Sequence, residues 1–120
     1  MKKNLMMIEK FEWGKITING VEYTNDIIMS QHKIINSNWR RNEGHLLELD
    51  TDLQSLLITY PHRIVVGTGV NGMMKIDSRL TKLLAGFKSD ILNTPDAIKI
   101  FNKYAKDKSK LIIGMFHLTC

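Results

Sequence analysis

The sequence predicts an α/β domain, a layered fold in which helices pack on a β-sheet, with a β-hairpin near the N-terminus. An Asn-Gly pair joins two short alternating runs early in the chain, which indicates the hairpin. Later segments alternate between short apolar runs and runs with apolar residues at helical spacing. The length of 120 residues, with 43% hydrophobic and 24% charged residues, suits one domain, 1–120. Residues 1–10 are a candidate flexible extension of it.

The hairpin is the most specific local signal. Residues 16–18 and 21–23 are joined by Asn19-Gly20, a pair that favours a type I′ turn because both central positions need positive φ. A two-residue loop pairs Ile16 with Tyr23 and residue 18 with residue 21, which places these four apolar side chains on one face. A further extended segment, 27–29, follows the hairpin, and the polar stretch 30–44 is expected to be a long loop or an irregular strand.

The rest of the chain alternates between helices and strands. Leu53, Leu56, Leu57 and Tyr60 recur at helical spacing and Pro61 ends the run, which predicts the first helix over 53–59. Similar apolar patterns, with Thr94 as the expected N-cap of the last helix, predict further helices over 78–85 and 95–106. Strands are predicted over 64–66, 90–92 and 111–117. We expect these three strands to be neighbours in one sheet.

Charge and cysteine content exclude several classes of protein. The formal charge is +5, but Lys99, Lys103 and Lys106 share one helical face of the kind that surface helices normally expose, so nucleic acid is a disfavoured partner. The single cysteine, Cys120, allows no intrachain disulfide. No apolar run approaches the twenty or so residues of a membrane span, and residues 5–8 are too short for the core of a signal peptide. We therefore expect a cytoplasmic protein without membrane insertion.

Several short motifs, taken together in this order, carry a resemblance to a known family. They are Tyr23 with Asp26-Ile27, Trp39-Arg40, Gly44-His45, Gly67-Thr68-Gly69 with Gly72, Thr94 with Ala97, Phe101-Asn102 and the ending His117-Leu118-Thr119-Cys120. The chain resembles the Mth-type domain family, which includes the adipogenesis-associated domain protein and a mitochondrial NADH dehydrogenase assembly factor. The resemblance implies a three-layer fold around a mixed β-sheet whose final strand is antiparallel to the others. It also implies roles in assembly or regulation, and no settled reaction.

The loop 67–72 matches the dinucleotide fingerprint G-x-G-x-x-G directly after a predicted strand. The fingerprint requires a helix that begins within it, whereas here the next helix is expected to begin only near Asp77 or Ser78. We therefore interpret the loop as a structural turn and expect no cofactor, neither NAD nor FAD. His117 and Cys120 are too few ligands for zinc, so no metal site is predicted either.

The candidate binding site lies in the polar stretch. Trp39, Arg40, Arg41, Gly44 and His45 combine an aromatic ring, guanidinium groups and an imidazole, which can bind an anionic ligand. Alternatively, the tryptophan anchors the loop, the arginines are solvated and the histidine bonds to the backbone.

We take Trp39, Arg40 and His45 as candidate ligand-binding residues, with the backbone amides of Thr68 and Gly69 on the opposite wall. No pair of groups indicates a catalytic residue. The sequence thus favours a non-enzymatic binding or assembly module for an unknown protein partner, and names neither that partner nor an oligomeric state. The alternative is a small enzyme or ligand-binding protein with an anion-binding pocket between the loops 39–45 and 67–72. A concave polar pocket would favour the alternative, and an exposed apolar patch would favour the binding module.

Overall fold

A computed structural model describes residues 5–41 and 45–120 of the chain. Over these residues it contains ten strands and three helices. The strands are β1 (Ile8–Glu12), β2 (Lys15–Ile18), β3 (Val21–Tyr23), β4 (Ile27–Ser30), β5 (Ile34–Asn36), β6 (Leu46–Leu47), β7 (Arg63–Thr68), β8 (Lys75–Ile76), β9 (Lys88–Leu92) and β10 (Ile112–His117). The helices are α1 (Thr51–Ile58), α2 (Ser78–Leu84) and α3 (Thr94–Ala105). The predicted α/β class is confirmed.

The central sheet is mixed, as expected, with the strand order β5-β4-β10-β7-β9. The three strands predicted as neighbours are β9, β7 and β10, and all three run parallel to one another. The expectation that the final strand is antiparallel to the others is therefore wrong. Helix α3 carries the chain from the end of β9 back to the start of β10, and such a crossover makes the connected strands parallel. The antiparallel strand next to β10 is β4.

Successive side chains of the central strands point to opposite faces of the sheet, so the interior consists of two cores, one on each face. In β10, Phe116 faces a core with Phe101 of α3, whereas Ile113 and Met115 face a second core. Helices α1 and α2 cover that second face through residues such as Leu57. Each face of the sheet is therefore covered, which gives the three layers that the resemblance implied.

The N-terminal hairpin has the predicted register, in which Ile16 pairs with Tyr23. Asn19 and Gly20 have φ of 48° and 80°, as a type I′ turn requires. Strand β1, which the sequence did not reveal, extends the hairpin to a three-stranded sheet, so residues 8–10 of the candidate flexible extension lie in a strand. The side chain of Asn102 exchanges two hydrogen bonds with the backbone of Ile8, which joins this sheet to α3.

Polar side chains cap the N-terminal ends of α1 and α3. Asp50 caps α1 by accepting a hydrogen bond from the amide of Leu53 at 2.8 Å. The sequence predicted Thr94 as the cap of α3, but the cap is Asn93, whose side chain accepts a hydrogen bond from the amide of Asp96. Thr94 is not the cap because its hydroxyl donates to the buried carbonyl of His117. No helix in the described part of the chain is long and apolar enough to span a membrane.

Candidate functional site

A buried polar cluster joins the loop before β4, the loop after β5 and the end of β10. It consists of Asp26, Arg41 and His117, whose side chains are 15%, 5% and 5% exposed. Oδ2 of Asp26 lies 2.6 Å from Nη2 of Arg41 and 2.7 Å from Nδ1 of His117, and its Oδ1 accepts a hydrogen bond from the amide of Leu118 at 2.8 Å. The carboxylate therefore ties a loop cation, a strand histidine and the strand backbone together.

These bonds decide the ionisation of Asp26. Burial by itself would raise the pKa of this carboxyl, because a low-dielectric environment disfavours the charged form. The hydrogen bonds from His117, Leu118 and Arg41 outweigh burial, and the pKa of Asp26 lies below its ordinary value. The aspartate is therefore ionised at neutral pH and balances the charge of the arginine.

His117 is enclosed by this cluster. Its Nε2 is buried and accepts or donates no hydrogen bond among the described residues. The ring of His45 lies edge-on to it, with the ring centroids 5.5 Å apart. In many catalytic and metal-binding histidines, a carboxylate bonds one ring nitrogen and the other nitrogen faces the substrate or the metal. In His117 the other nitrogen, Nε2, is buried and does not face solvent. We therefore interpret the cluster as a tie between the loop and the sheet.

The residues predicted in the polar stretch have different environments. Trp39 is 4% exposed, and the guanidinium of Arg41 stacks on its ring at 4.5 Å. Arg40 is exposed, and its Nε donates to Asn38 at 3.3 Å. Trp39 and Arg40 border a shallow cavity of about 310 Å³. The lining of this cavity contains neither His45 nor any residue of the glycine loop. Gly44 lies outside the described residues.

Sequence reasoning included both arginines in the polar constellation but chose Arg40 as the ligand-binding residue, whereas Arg41 is the one that the fold buries. It also left out Asp26 and His117 as site residues, although both lie in the motifs that carried the family resemblance. The available sequence signal for this cluster was an aspartate directly before the predicted extended segment 27–29.

The glycine loop binds the end of the chain. Its amides at Val70 and Asn71 donate to the carbonyls of Thr119 and Cys120, at 2.6 and 3.2 Å, and the next-but-one amide, of Met73, also donates to Cys120 at 3.0 Å. The amide of Gly69 donates to the hydroxyl of Thr94, and the hydroxyl of Thr68 donates to the carbonyl of Leu92. No helix starts within the loop, since α2 begins at Ser78, as expected. A role of Thr68 and Gly69 in ligand binding stays a prediction.

An apolar groove lies on the other side of the molecule, between the C-terminal ends of α1 and α2. Its volume is about 980 Å³, and its apolar lining includes Leu49, Leu57, Ile58, Tyr60, Leu83 and Phe87. Ile58 and Tyr60 are 74% and 82% exposed. Two large apolar side chains that are this exposed and lie close together form an apolar surface patch, which is unusual in a folded domain.

Tyr60 and Leu83 are exposed side chains of the groove. The spacing of Tyr60 from Leu56 and Leu57 placed it on the buried stripe of the first helix, but α1 ends at Ile58 and Tyr60 has φ of 50°. This left-handed conformation turns Tyr60 away from the helical stripe into solvent. Leu83 of α2 is 42% exposed at the groove.

One end of the groove is cationic. His62 and Lys88 belong to its lining, and Arg63 and Lys110 are close enough to act on the histidine. Partial desolvation and the positive charges of Lys110, Lys88 and Arg63 lower the pKa of His62, with Asp107 acting in the opposite direction. The described residues contain no group of three histidine, cysteine or acidic side chains that could hold a metal ion.

Comparison with known proteins gives a family and a fold. A family model described as a protein of unknown function (DUF498/DUF598) matches residues 8–117. A conserved hypothetical protein from Pyrococcus horikoshii OT3 is 25% identical, with a TM-score of 0.77 over 96% of this chain and all of that one. A structure named MT938 is also 25% identical, with a TM-score of 0.75 over 96% of this chain and 99% of that one.

A Mth938-like domain of Bordetella pertussis shares the fold at 13% identity, with a TM-score of 0.59 over 94% of this chain and 85% of that one. No curated protein matches the chain. The expected Mth-type domain of unknown function is therefore supported. The resemblance to an adipogenesis-associated protein and to an assembly factor stays a prediction.

Proposed function

The chain belongs to the DUF498/DUF598 family of unknown function, and we propose that it is a non-enzymatic binding or assembly module that docks a segment of a partner protein in the groove between α1 and α2. The observation that carries this proposal is the exposure of Ile58 and Tyr60 beside an apolar groove of about 980 Å³. Fully burying one such side chain stabilises a complex by about 1.5–3 kcal/mol.

The alternative, an anion-binding pocket between the loops 39–45 and 67–72, has less support. It required that the two loops share a concave polar pocket with donors on both walls. The amide of Gly69 bonds to Thr94, and the amides that follow bond to Thr119 and Cys120. The cavity beside Arg40 is shallow and includes no residue of the glycine loop. The apolar groove therefore favours the binding module.

The partner segment that fits the groove is apolar and acidic. Its apolar residues would cover Ile58, Tyr60 and Leu83, which are the exposed part of the groove. His62 and Lys88 add cationic character at one end, and the whole chain carries a formal charge of +5. Complementary charge raises the rate of encounter and disfavours basic partners. A second copy of this basic chain would lack that complementarity.

Crosslinking from the groove tests the proposal. The photoreactive amino acid p-benzoylphenylalanine replaces Ile58 in the cell that naturally makes the protein, and crosslinked peptides are sequenced. A matched control places the same group at Trp13, which is 55% exposed on the N-terminal sheet. We expect one partner to crosslink from position 58 and not from position 13, through a segment that contains apolar and acidic residues.

The captured partner is then purified, and its binding is measured by calorimetry. We expect Ile58→Asp to weaken binding at least about tenfold, because it places a charge in an apolar contact. The thermal stability should change little, since Ile58 is 74% exposed. Trp13→Ser should leave binding unchanged. Crosslinks only between copies of this chain, or equal binding by Ile58→Asp, would overturn the proposal.

A further inference from the structure

The cationic end of the groove contains two groups without a protein partner among the described residues. Lys88 lies in the groove lining and forms no ion pair with any described carboxylate. The backbone amide of His62 is held by the carbonyl of Leu111 at 2.8 Å, whereas its imidazole makes no hydrogen bond to a described residue. A fixed backbone thus presents an imidazole next to an uncompensated ammonium group.

The neighbouring charges leave a positive balance at this end. Arg63 is paired with Asp90 at 2.6 Å, and Lys110 lies 3.9 Å from Asp107. Lys88 remains as the surplus positive charge, and Asp107 is the acidic group that acts on His62. The C-terminal ends of α1 and α2 add partial negative charge here, which is reduced where amides of the following turn bind the last carbonyls, such as those of Leu83 and Leu84.

We propose that His62 and Lys88 form a carboxylate-binding subsite at the end of the groove, which anchors an acidic side chain or the C-terminal carboxylate of the docked segment. This inference rests on the proposed function and adds the chemical group that the partner must present. The floor of the groove supplies apolar contacts through Phe87 and Pro61, and the two nitrogen groups supply charge at its end. An apolar segment alone would leave Lys88 unpaired on binding.

The subsite predicts a defined pH dependence. The charged groups that act on His62 are Lys88 from β9, Arg63 from β7 and Lys110 and Asp107 from the segment before β10. A bound carboxylate adds a negative charge and favours the protonated imidazole, so the complex takes up a proton. Binding therefore strengthens as the pH falls from 8 to 6. It weakens again only when the carboxylate itself becomes protonated, near pH 4.

A matched pair of peptides tests the subsite. Acetyl-Leu-Phe-Leu with a free carboxylate and the same peptide with a C-terminal amide differ in one charge. Each is titrated into the isotopically labelled chain, and chemical shifts are followed at Ile58, Leu83, His62 and Lys88. At pH 6 we expect the acid to bind about three- to fivefold tighter than the amide, as one or two exposed charge pairs allow. The imidazole of His62 should shift only with the acid.

Variants distinguish the contribution of the carboxylate-binding subsite from that of the apolar groove. His62→Asn and Lys88→Gln should each lower the ratio of the affinity for the acid to the affinity for the amide towards one. Lys99→Gln, at an exposed position of α3, should not change this ratio. Equal binding of acid and amide at the groove would overturn the subsite and leave the docking proposal intact. Absence of shifts with either peptide would also overturn it, while the crosslinking experiment would still decide the docking function.

Discussion

Replacement of Asp26 by asparagine tests the buried polar cluster most directly. The carboxylate accepts hydrogen bonds from Arg41, His117 and the amide of Leu118. Asp26→Asn removes the negative charge from a pair with Arg41 whose side chains are only 15% and 5% exposed. A hydrogen bond to a charged group contributes about 1.5–3 kcal/mol, and loss of one member of a buried pair costs about 3–5 kcal/mol. We expect the free energy of unfolding to fall by about 3–4 kcal/mol at pH 7.

The same variant has a predictable pH dependence. The folded pKa of Asp26 is lowered from that of the unfolded chain, so its contribution to stability is fully present above the unfolded value of about 3.9. The contribution is lost as the pH falls through the lower, folded pKa. The contribution of the Asp26 charge to the difference between Asp26→Asn and the parent chain should therefore shrink below about pH 4.

Urea unfolding followed by tryptophan fluorescence measures both effects, since Trp39 stacks on Arg41. The control is Asp90→Asn, which breaks an ion pair of the same 2.6 Å length whose side chains are more exposed, at 16% and 28%. That control should cost about 1 kcal/mol or less. Equal losses for the two variants, or a loss for Asp26→Asn under about 0.5 kcal/mol, would refute the reasoning from burial.

Two further predictions concern the contacts of the glycine loop. Gly69→Ala places a Cβ onto the backbone of Cys120 at a φ of +106°, and should destabilise the chain by about 3 kcal/mol in thermal unfolding. Gly20→Ala, where the added Cβ meets nothing, should cost only the strain of positive φ, about 1–2 kcal/mol, and equal costs would contradict the clash. Thr94→Val removes the buried hydroxyl that bonds to Gly69 and His117, and should cost about 2–3 kcal/mol and speed hydrogen exchange at the Gly69 amide. Unchanged exchange would show that the hydroxyl is dispensable.

Local chemistry determined which parts of the fold could be predicted. The register between Ile16 and Tyr23 follows from the two-residue turn between their strands, and the start of α1 follows from its polar cap, Asp50. The direction of β10 depends on how α3 crosses the sheet, and no local pattern reports it. Strand β1 was missed because its charged residues face solvent and its pairing with β2 is a tertiary contact.

The candidate site was harder to predict for physical reasons. In an irregular loop no periodicity shows which of two adjacent arginines points inward, so Arg41 could not be separated from Arg40. The exposure of Tyr60 depends on one left-handed residue after α1, which breaks the helical spacing from which its burial was inferred. The two candidate sites lie in an irregular loop and just after the end of a helix. Sequence periodicity carries least information at such positions.

The order of the central sheet has a consequence for synthesis of the protein. Strand β10 lies between β4 and β7, although it is the last strand to leave the ribosome. Until residues 112–117 emerge, β4 and β7 lack the strand that joins them, and each presents an unpaired apolar edge. The central sheet therefore cannot be completed stepwise along the chain, and these two edges stay open to incorrect pairing until β10 emerges, unlike those of a domain whose final strand lies at an edge.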